Sequence, residues 1–218
     1  MEQALSALPD TSTHSGSRAI TDTSDSIRRA AVDLVNEGGM SHVTISAISA
    51  AAGLRDGEFE EYYTSVEAVF LDVAGSLMST HSEVIDATML RRRSLTESMK
   101  IALFAFWDVV EKRVDDHRAT KYVTLAGLRT ESPGEESRSL YDEFLASAEN
   151  WMVEVERIHS ITWELPVRQL ARLMLATLDG LVLDYVVTRD SAGAHKLLEV
   201  LAYHLAQHGR RVAKNYPH

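Results

Sequence analysis

The stretch GLRDGEFEEYYTSVEAVF, residues 53–70, gathers side chains built to meet a polar partner: Arg55 beside Asp56, Glu58, Glu60, Glu61 and Glu67. Carboxylates at this density repel phosphate and remove the affinity that phosphate contacts supply. They leave base reading open, because Glu can accept from the cytosine amino group in the major groove. A second set is apolar and aromatic: Phe104, Phe106, Trp107, Tyr122, Trp151, Met152, Met174 and Tyr185. Such groups line the cavities that helices leave between them, and at helical spacing they equally build plain core. His204 and His208 stand four apart, a spacing that can chelate a metal. No Asp, Glu or Cys stands at a matching offset, so they read as solvent or dimer-interface histidines and no metal is expected. Arg91-Arg92-Arg93-Ser94 reads as a solvated loop capping the next helix ahead of a kinase site or a basic patch. No Gly-x-Ser-x-Gly, phosphate loop, dinucleotide fingerprint or zinc-protease motif occurs, so no enzyme and no cofactor are expected.

Composition sets wide bounds. The chain has 218 residues, 45% hydrophobic and 25% charged, enough for one large domain or a small domain fused to a larger one. It has no cysteine, which excludes thiolate zinc sites, disulfides and cysteine nucleophiles, and suits a reducing, cytoplasmic setting. The net charge of −10 is the opposite of what nonspecific nucleic-acid binders show, although a local basic face can sit on an acidic body. Met1 to Asp10 has neither a basic start nor a long apolar run, so no signal peptide is expected, and no stretch is long enough for a membrane span.

These residues need elements to position them. Residues 1–23 are rich in Ser and Thr and poor in large apolar groups, which predicts a disordered arm. Ile27, Ala30, Ala31, Leu34 and Val35 then form one helical stripe, closed by Gly38-Gly39. Thr44 caps a short helix over Ile45 to Ala52, Gly53 stops it, and a third helix is expected from about Arg55 to Tyr63. Two short helices around a glycine turn are the helix-turn-helix pattern. Ser65 opens a fourth helix to about Met89. Further helices are expected from Leu95, over 117–128 and 137–159, from Pro166 to Thr188, and from Ala194 to Arg211, with loops over 130–136 and 190–193. No segment alternates long enough for a strand, so the fold class is all-α with about nine helices.

The motifs SIRRAAVDLVNEGG, TISAISAAAGL and GEFEEYYTSVEAVF, followed by an apolar helix containing LATLDGLVLDYVV, resemble the tetracycline-repressor (TetR) family of bacterial regulators. The resemblance covers residues 24–210 in layout and 24–75 by motif. It implies a helix-turn-helix head over 24–70, a ligand-binding and dimerisation body over 71–218, and release from an operator by a small molecule. It places DNA contacts at Thr44, Arg55, Asp56, Gly57, Glu58, Glu60, Glu61 and Tyr62. A ligand would be lined by Phe104, Trp107, Tyr122, Trp151, Met152, Met174 and Tyr185, of which Trp107 and Tyr122 are the leading candidates.

The scaffold positions Gly53, Leu54, Gly57, Phe59, Tyr62, Tyr63 and Glu67 match the family, and the contact positions do not. The family carries a basic or uncharged residue at Asp56, Thr or Ser at Glu58, Tyr at Glu60, a polar or basic residue at Glu61 and Lys at Val66. Between Ser24 and Phe70 three arginines face eight carboxylates, a net of −5. Asp56 and Glu58 can also be plain helix-start residues, where a carboxylate gains roughly 0.3–1 kcal/mol from the helix dipole.

Two readings follow first. One is a homodimeric regulator, controlled by an apolar or aromatic ligand, with weak or atypical operator binding. The other is a degenerate helix-turn-helix member that binds a protein partner through its acidic face. An enzyme or ligand carrier on a helical bundle is the third. The dimer is expected from the helices at 166–189 and 194–211, on Leu170, Leu173, Met174, Leu178, Leu181 and Tyr185 beside Leu197, Leu198, Leu201 and Leu205.

Overall fold

Ile27, Ala31 and Val35 are wholly buried, as their one-sided spacing requires. The helix that carries them, α1, spans Ser12–Gly38 in a computed structural model that describes residues 12–88, 93–127 and 135–212. The expected arm over 1–23 is corrected from Ser12 onward. Extending a helix that buried side chains have already nucleated adds one hydrogen bond per residue fixed, and no proline lies between Pro9 and Gly38. Residues 1–11 lie outside the described ones, as do 130–134 of the loop expected over 130–136 and Arg91-Arg92.

The chain forms two compact units, residues 1–70 and 71–218. In the head, α1 is followed by a 3-10 turn over Met40–His42 and by α2, Ile45–Ala52. Thr44 Oγ1 accepts from the Ala47 amide at 3.1 Å, and Gly53 closes α2 in the left-handed conformation at φ 70°. The third helix expected over 55–63 is absent. Only Phe59–Glu61 turn, as a 3-10 element. Gly57 sits at φ 80°, outside any right-handed helix, and the Glu58 carboxylate accepts from the Arg55 amide at 3.0 Å, so the chain makes a tight turn there. α3 covers Val66–Asp86, capped by Ser65 Oγ on the Ala68 amide at 3.1 Å. Ile27, Val35, Ile48, Phe59, Val69 and Phe70 form the head's apolar core.

In the body follow α4 (Leu95–Lys112), α5 (Val114–Gly127), α6 (Glu135–His159), α7 (Val167–Thr188) and α8 (Ser191–Gln207). Ser94 Oγ caps α4 on the Glu97 amide at 3.2 Å, the capping role expected after the arginine run. The fold is all-α, with eight α-helices among the described residues rather than about nine, because the third is only a 3-10 turn. One short sheet was not anticipated: β1 (Ile161–Trp163) pairs antiparallel with β2 (Gly209–Arg211), Ile161 opposite Arg211. Three-residue strands are too short to alternate visibly. β2 ends the last helix at Gln207 instead of Arg211, and Gly209 packs closely there, where a Cβ would lie 2.5 Å from Leu95 Cδ2 and 2.9 Å from Ile161 Cδ1 and push those side chains aside.

The body core gathers Met99, Leu103, Trp107, Met152, Leu170, Leu198 and Leu205. The stripe expected at a dimer interface is therefore corrected: Leu170, Met174, Leu178, Leu181, Leu198, Leu201 and Leu205 face this core. The face of α7 and α8 left open carries Leu173, Leu183, Val187, Leu197, Val200 and Tyr203, each at least half exposed. An amphipathic stripe seeks the nearest apolar surface, and here the chain's own core supplies it. No helix among the described residues is long and apolar enough to cross a membrane.

Candidate functional site

Two places carry chemistry, one in each unit. In the head, the turn after α2 presents Asp56, Glu60 and Glu61 to solvent, with Glu67 exposed at the start of α3. Arg55 is also exposed, but its Nε donates to Glu58 Oε2 at 3.0 Å. This hydrogen bond and the accompanying charge attraction hold the Glu58 carboxyl below its usual range and raise the Arg55 guanidinium above its own. The stabilising partner of Glu58 is thus Arg55 and not a helix dipole, since a three-residue turn has almost none. Arg28 and Arg29 on α1 are engaged too. Arg28 pairs with Asp25, and Arg29 donates to the Asp25 carbonyl at 3.2 Å and to Ser26 Oγ at 3.4 Å. Tyr62 is half-buried, and Tyr63 packs on Phe59 with ring centroids 6.0 Å apart. Thr44 is exposed and serves as the cap of α2.

In the body, α3, α4, α6 and α7 line an open pocket of about 710 Å³. Gly75, Met78, Ser79, His81, Ser82, Ile85 and Asp86 line it from α3, and Ala102, Leu103 and Phe106 from α4. Glu143, Phe144, Ser147, Asn150, Trp151 and Glu154 of α6 and Met174, Leu175 and Leu178 of α7 complete the wall. Among the described residues, no lysine or arginine lines it. Glu154 is paired with Arg157.

His81 stacks on Phe106, centroids 4.1 Å apart at 19°, and its Nε2 lies 3.3 Å from Nε2 of His117 on α5. Burial, with the Arg113 guanidinium, pushes the His81 ring down to about 4. Burial, with His81, Lys121 and Arg113 nearby, pushes His117 down to about 3, so both imidazoles are neutral at pH 7. Arg113 fixes this corner by donating to Asp116 at 2.7 Å, to the Ser76 carbonyl and hydroxyl at 3.3 and 3.2 Å, and to Thr80 Oγ1 at 3.1 Å.

Of the ligand-lining residues expected from the sequence, the cavity brings together Trp151 and Met174. Trp107 lies wholly buried beside it, edge-on to Tyr185 with centroids 5.3 Å apart, and Met152 is core. Phe104 packs against His195 instead, and Tyr122 is 44% exposed. Phe106, also among the aromatic set, does line the wall. Sequence reasoning missed His81, Ser79, Ser82 and Asn150. His81 had a legible signal, since it follows Leu77 by four on the apolar stripe of α3, where a histidine is out of place. His204 is exposed, and His208 Nδ1 lies 4.0 Å from Glu164 Oε2. The described residues contain no group of three metal-ligating side chains.

No protein-family model matches the sequence, and neither does any curated protein. Solved structures do match. A protein from Syntrophomonas wolfei assigned to the TetR family of transcriptional regulators superposes with a TM-score of 0.75 at 16% identity, over 86% of this chain and 96% of that one. The transcriptional regulator FadR from Bacillus subtilis, solved with stearoyl-CoA, gives 0.66 at 17% identity over 83% and 96%. SmeT, repressor of the Stenotrophomonas maltophilia multidrug efflux pump SmeDEF, gives 0.63 at 17% over 90% and 98%. The chain has the fold of TetR-family transcriptional regulators.

Proposed function

We propose that the chain is a dimeric transcriptional regulator of the TetR type, controlled by a small neutral molecule and binding DNA weakly or at an unusual site. What supports this reading is the pairing, in one chain, of a head in which α2 and the 3-10 turn after it stand where the helix-turn-helix pattern was expected, with a helical bundle that holds a mostly apolar pocket. α3 has residues in both units and is the proposed route of coupling between ligand and head. The cavity volume falls in the range of small-molecule sites. Among the described residues its lining includes Asp86, Glu143 and Glu154 and no cation, which disfavours a polyanion and favours an apolar or aromatic compound.

The head's charge supports the weak-binding part. The proposed contacts at Thr44, Arg55, Asp56, Gly57, Glu58, Glu60, Glu61 and Tyr62 include a single arginine, already held by Glu58. That same sequestration, beside exposed Asp56, Glu60, Glu61 and Glu67, favours the second reading, a co-regulator that docks a basic protein surface on its head. The exposed apolar residues of α7 and α8 support a second copy of the chain as dimer partner.

The test is a binding titration against the DNA upstream of the chain's own gene, repeated with compounds found by thermal shift. Neutral apolar compounds should stabilise the protein and change its DNA affinity. Stabilisation by polyanionic metabolites alone would overturn the ligand class. Absence of DNA binding, with capture of a basic partner protein, would favour the co-regulator. Light scattering should give a dimer at micromolar concentration, and a monomer would overturn that part.

A further inference from the structure

The residues that line the pocket are sorted by burial. Ala102 and Leu103 of α4 and Met174 and Leu178 of α7 are each at most 6% exposed and form its floor. Ala148 of α6 and His81 of α3 are the other buried members, and only the neutral His81 among these six is polar. The exposed members stand at the mouth: Ser79 and Asp86 on α3, and Glu143, Ala146 and Asn150 on α6. All of these but Ala146 are polar or charged. Polarity therefore rises from floor to mouth, and the pocket has a direction.

Depth and polarity set what a ligand must present at each level. On the floor, a hydroxyl or a charge would exchange water for apolar carbon and lose its hydrogen bonds. At the mouth, water stays within reach and the side chains are hydrogen-bonding ones. The Asp86 and Glu143 carboxylates accept only, and the Asn150 amide both donates and accepts. Ser79 already donates to Glu83 Oε1 at 3.1 Å. Glu154, paired with Arg157, adds a third carboxylate to the lining, and among the described residues no cation lines the pocket. An anionic head at this mouth meets like charge, whereas a head that donates hydrogen bonds meets acceptors.

We infer that the pocket takes a single-headed amphiphile, apolar end first between α3 and α6 onto the α4–α7 floor, with an uncharged, hydroxyl-bearing head left at the mouth beside Asp86 and Glu143. This rests on the proposed reading of the pocket as the site of a neutral ligand. It adds the ligand's orientation and the chemistry of its head. A molecule with polar groups at both ends would bury one of them against Leu103 and Met174. The apolar body supplies the affinity, and the head supplies the direction.

The test uses the full chain with the neutral fluorescent probe N-phenyl-1-naphthylamine, displaced by competitors of one chain length and different heads. 1-Decanol carries a hydroxyl, decyl maltoside a bulky hydroxylated head, and decanoate a carboxylate. Decanol and decyl maltoside should displace the probe within about threefold of each other, because the head stays outside. Decanoate should be weaker than decanol by about 3- to 10-fold or more, since it meets like charges partly screened by solvent. Asp86→Asn combined with Glu143→Gln, both at exposed positions, should recover about 3- to 10-fold for decanoate and leave decanol within about twofold. Unchanged probe affinity shows that the double variant is folded. Should it melt differently, either single substitution decides, with a smaller shift of the same sign. Decyl maltoside more than about tenfold weaker than decanol would overturn the orientation. Decanoate unmoved by the substitutions, or protonated decylamine more than about tenfold tighter than decanol, would overturn the head assignment. In each of these cases the pocket still binds and its reading as a ligand site stands. A wild type that binds neither probe nor competitors would overturn that reading itself.

Discussion

The head keeps its polar side chains outside and its core apolar, whereas the body buries His81, His117 and Ser98, two of them at or beside the cavity. In the head the charges sit on a standard scaffold: caps, glycine turns and core fold it irrespective of what the surface displays. In the body the polar groups are part of the interior, so burying them carries a cost. On the proposed reading, surface charge would govern the approach of a partner to the head, whereas the buried polarity of the body sets its response to acid.

The comparison can be broken hardest at the cores. Phe59→Ala removes the largest fully buried side chain of the head and should cost about 3–5 kcal/mol, enough to unfold so small a unit. Denaturant unfolding should then show loss of the head transition, with probe binding by the body retained. Trp107→Ala, at the same expected cost of about 3–5 kcal/mol, should do the reverse.

Acid separates the units next. The buried imidazoles stay neutral down to pH about 4 and about 3 when folded, but protonate near pH 6.5 when unfolded. Below pH 6.5 the unfolded chain therefore binds more protons, and body stability is full above that pH and falls as pH drops toward 4. The expected loss is on the order of a few kcal/mol, and His81→Leu combined with His117→Leu should flatten it. Glu58 in the head has the opposite sign of partner: its carboxyl is held low by Arg55, so its contribution is lost only as pH falls below its ordinary 4.5. Melting curves between pH 7 and 5 should thus move the body and leave the head.

A smaller effect is expected from changing the head's surface. Asp56→Lys, Glu58→Thr, Glu60→Tyr, Glu61→His and Val66→Lys together remove four negative charges and add two positive ones. Nonspecific DNA affinity should rise, and the log–log salt slope should steepen by about 2 per head.

The helical plan was legible because its signals are local. Thr44, Gly53 and Ser94 announce their caps, and Ile27, Ala31 and Val35 announce a buried face. The third helix was not legible, because a positive φ at Gly57 and a hydrogen bond from the Arg55 amide to Glu58 depend on how the turn closes. The β1–β2 pair joins residues some fifty positions apart, and three-residue strands carry no pattern. For the cavity, Trp151 and Met174 could be picked by type, but Trp107 and Tyr185 are identical in kind and pack against each other instead. Which aromatic side chain faces a void is decided by tertiary packing, not by periodicity. The same holds for α7 and α8, whose strongest apolar stripe turned inward.

The central claim is that the head has little electrostatic hold on DNA. Fluorescence anisotropy of the native dimer on its own upstream DNA, repeated across a salt series, tests it most directly. With Arg55 alone at the turn, one per protomer, the slope of log affinity against log salt should be about −2. Tight binding with a slope of about −6 or steeper would contradict the account and restore an ordinary operator-binding head.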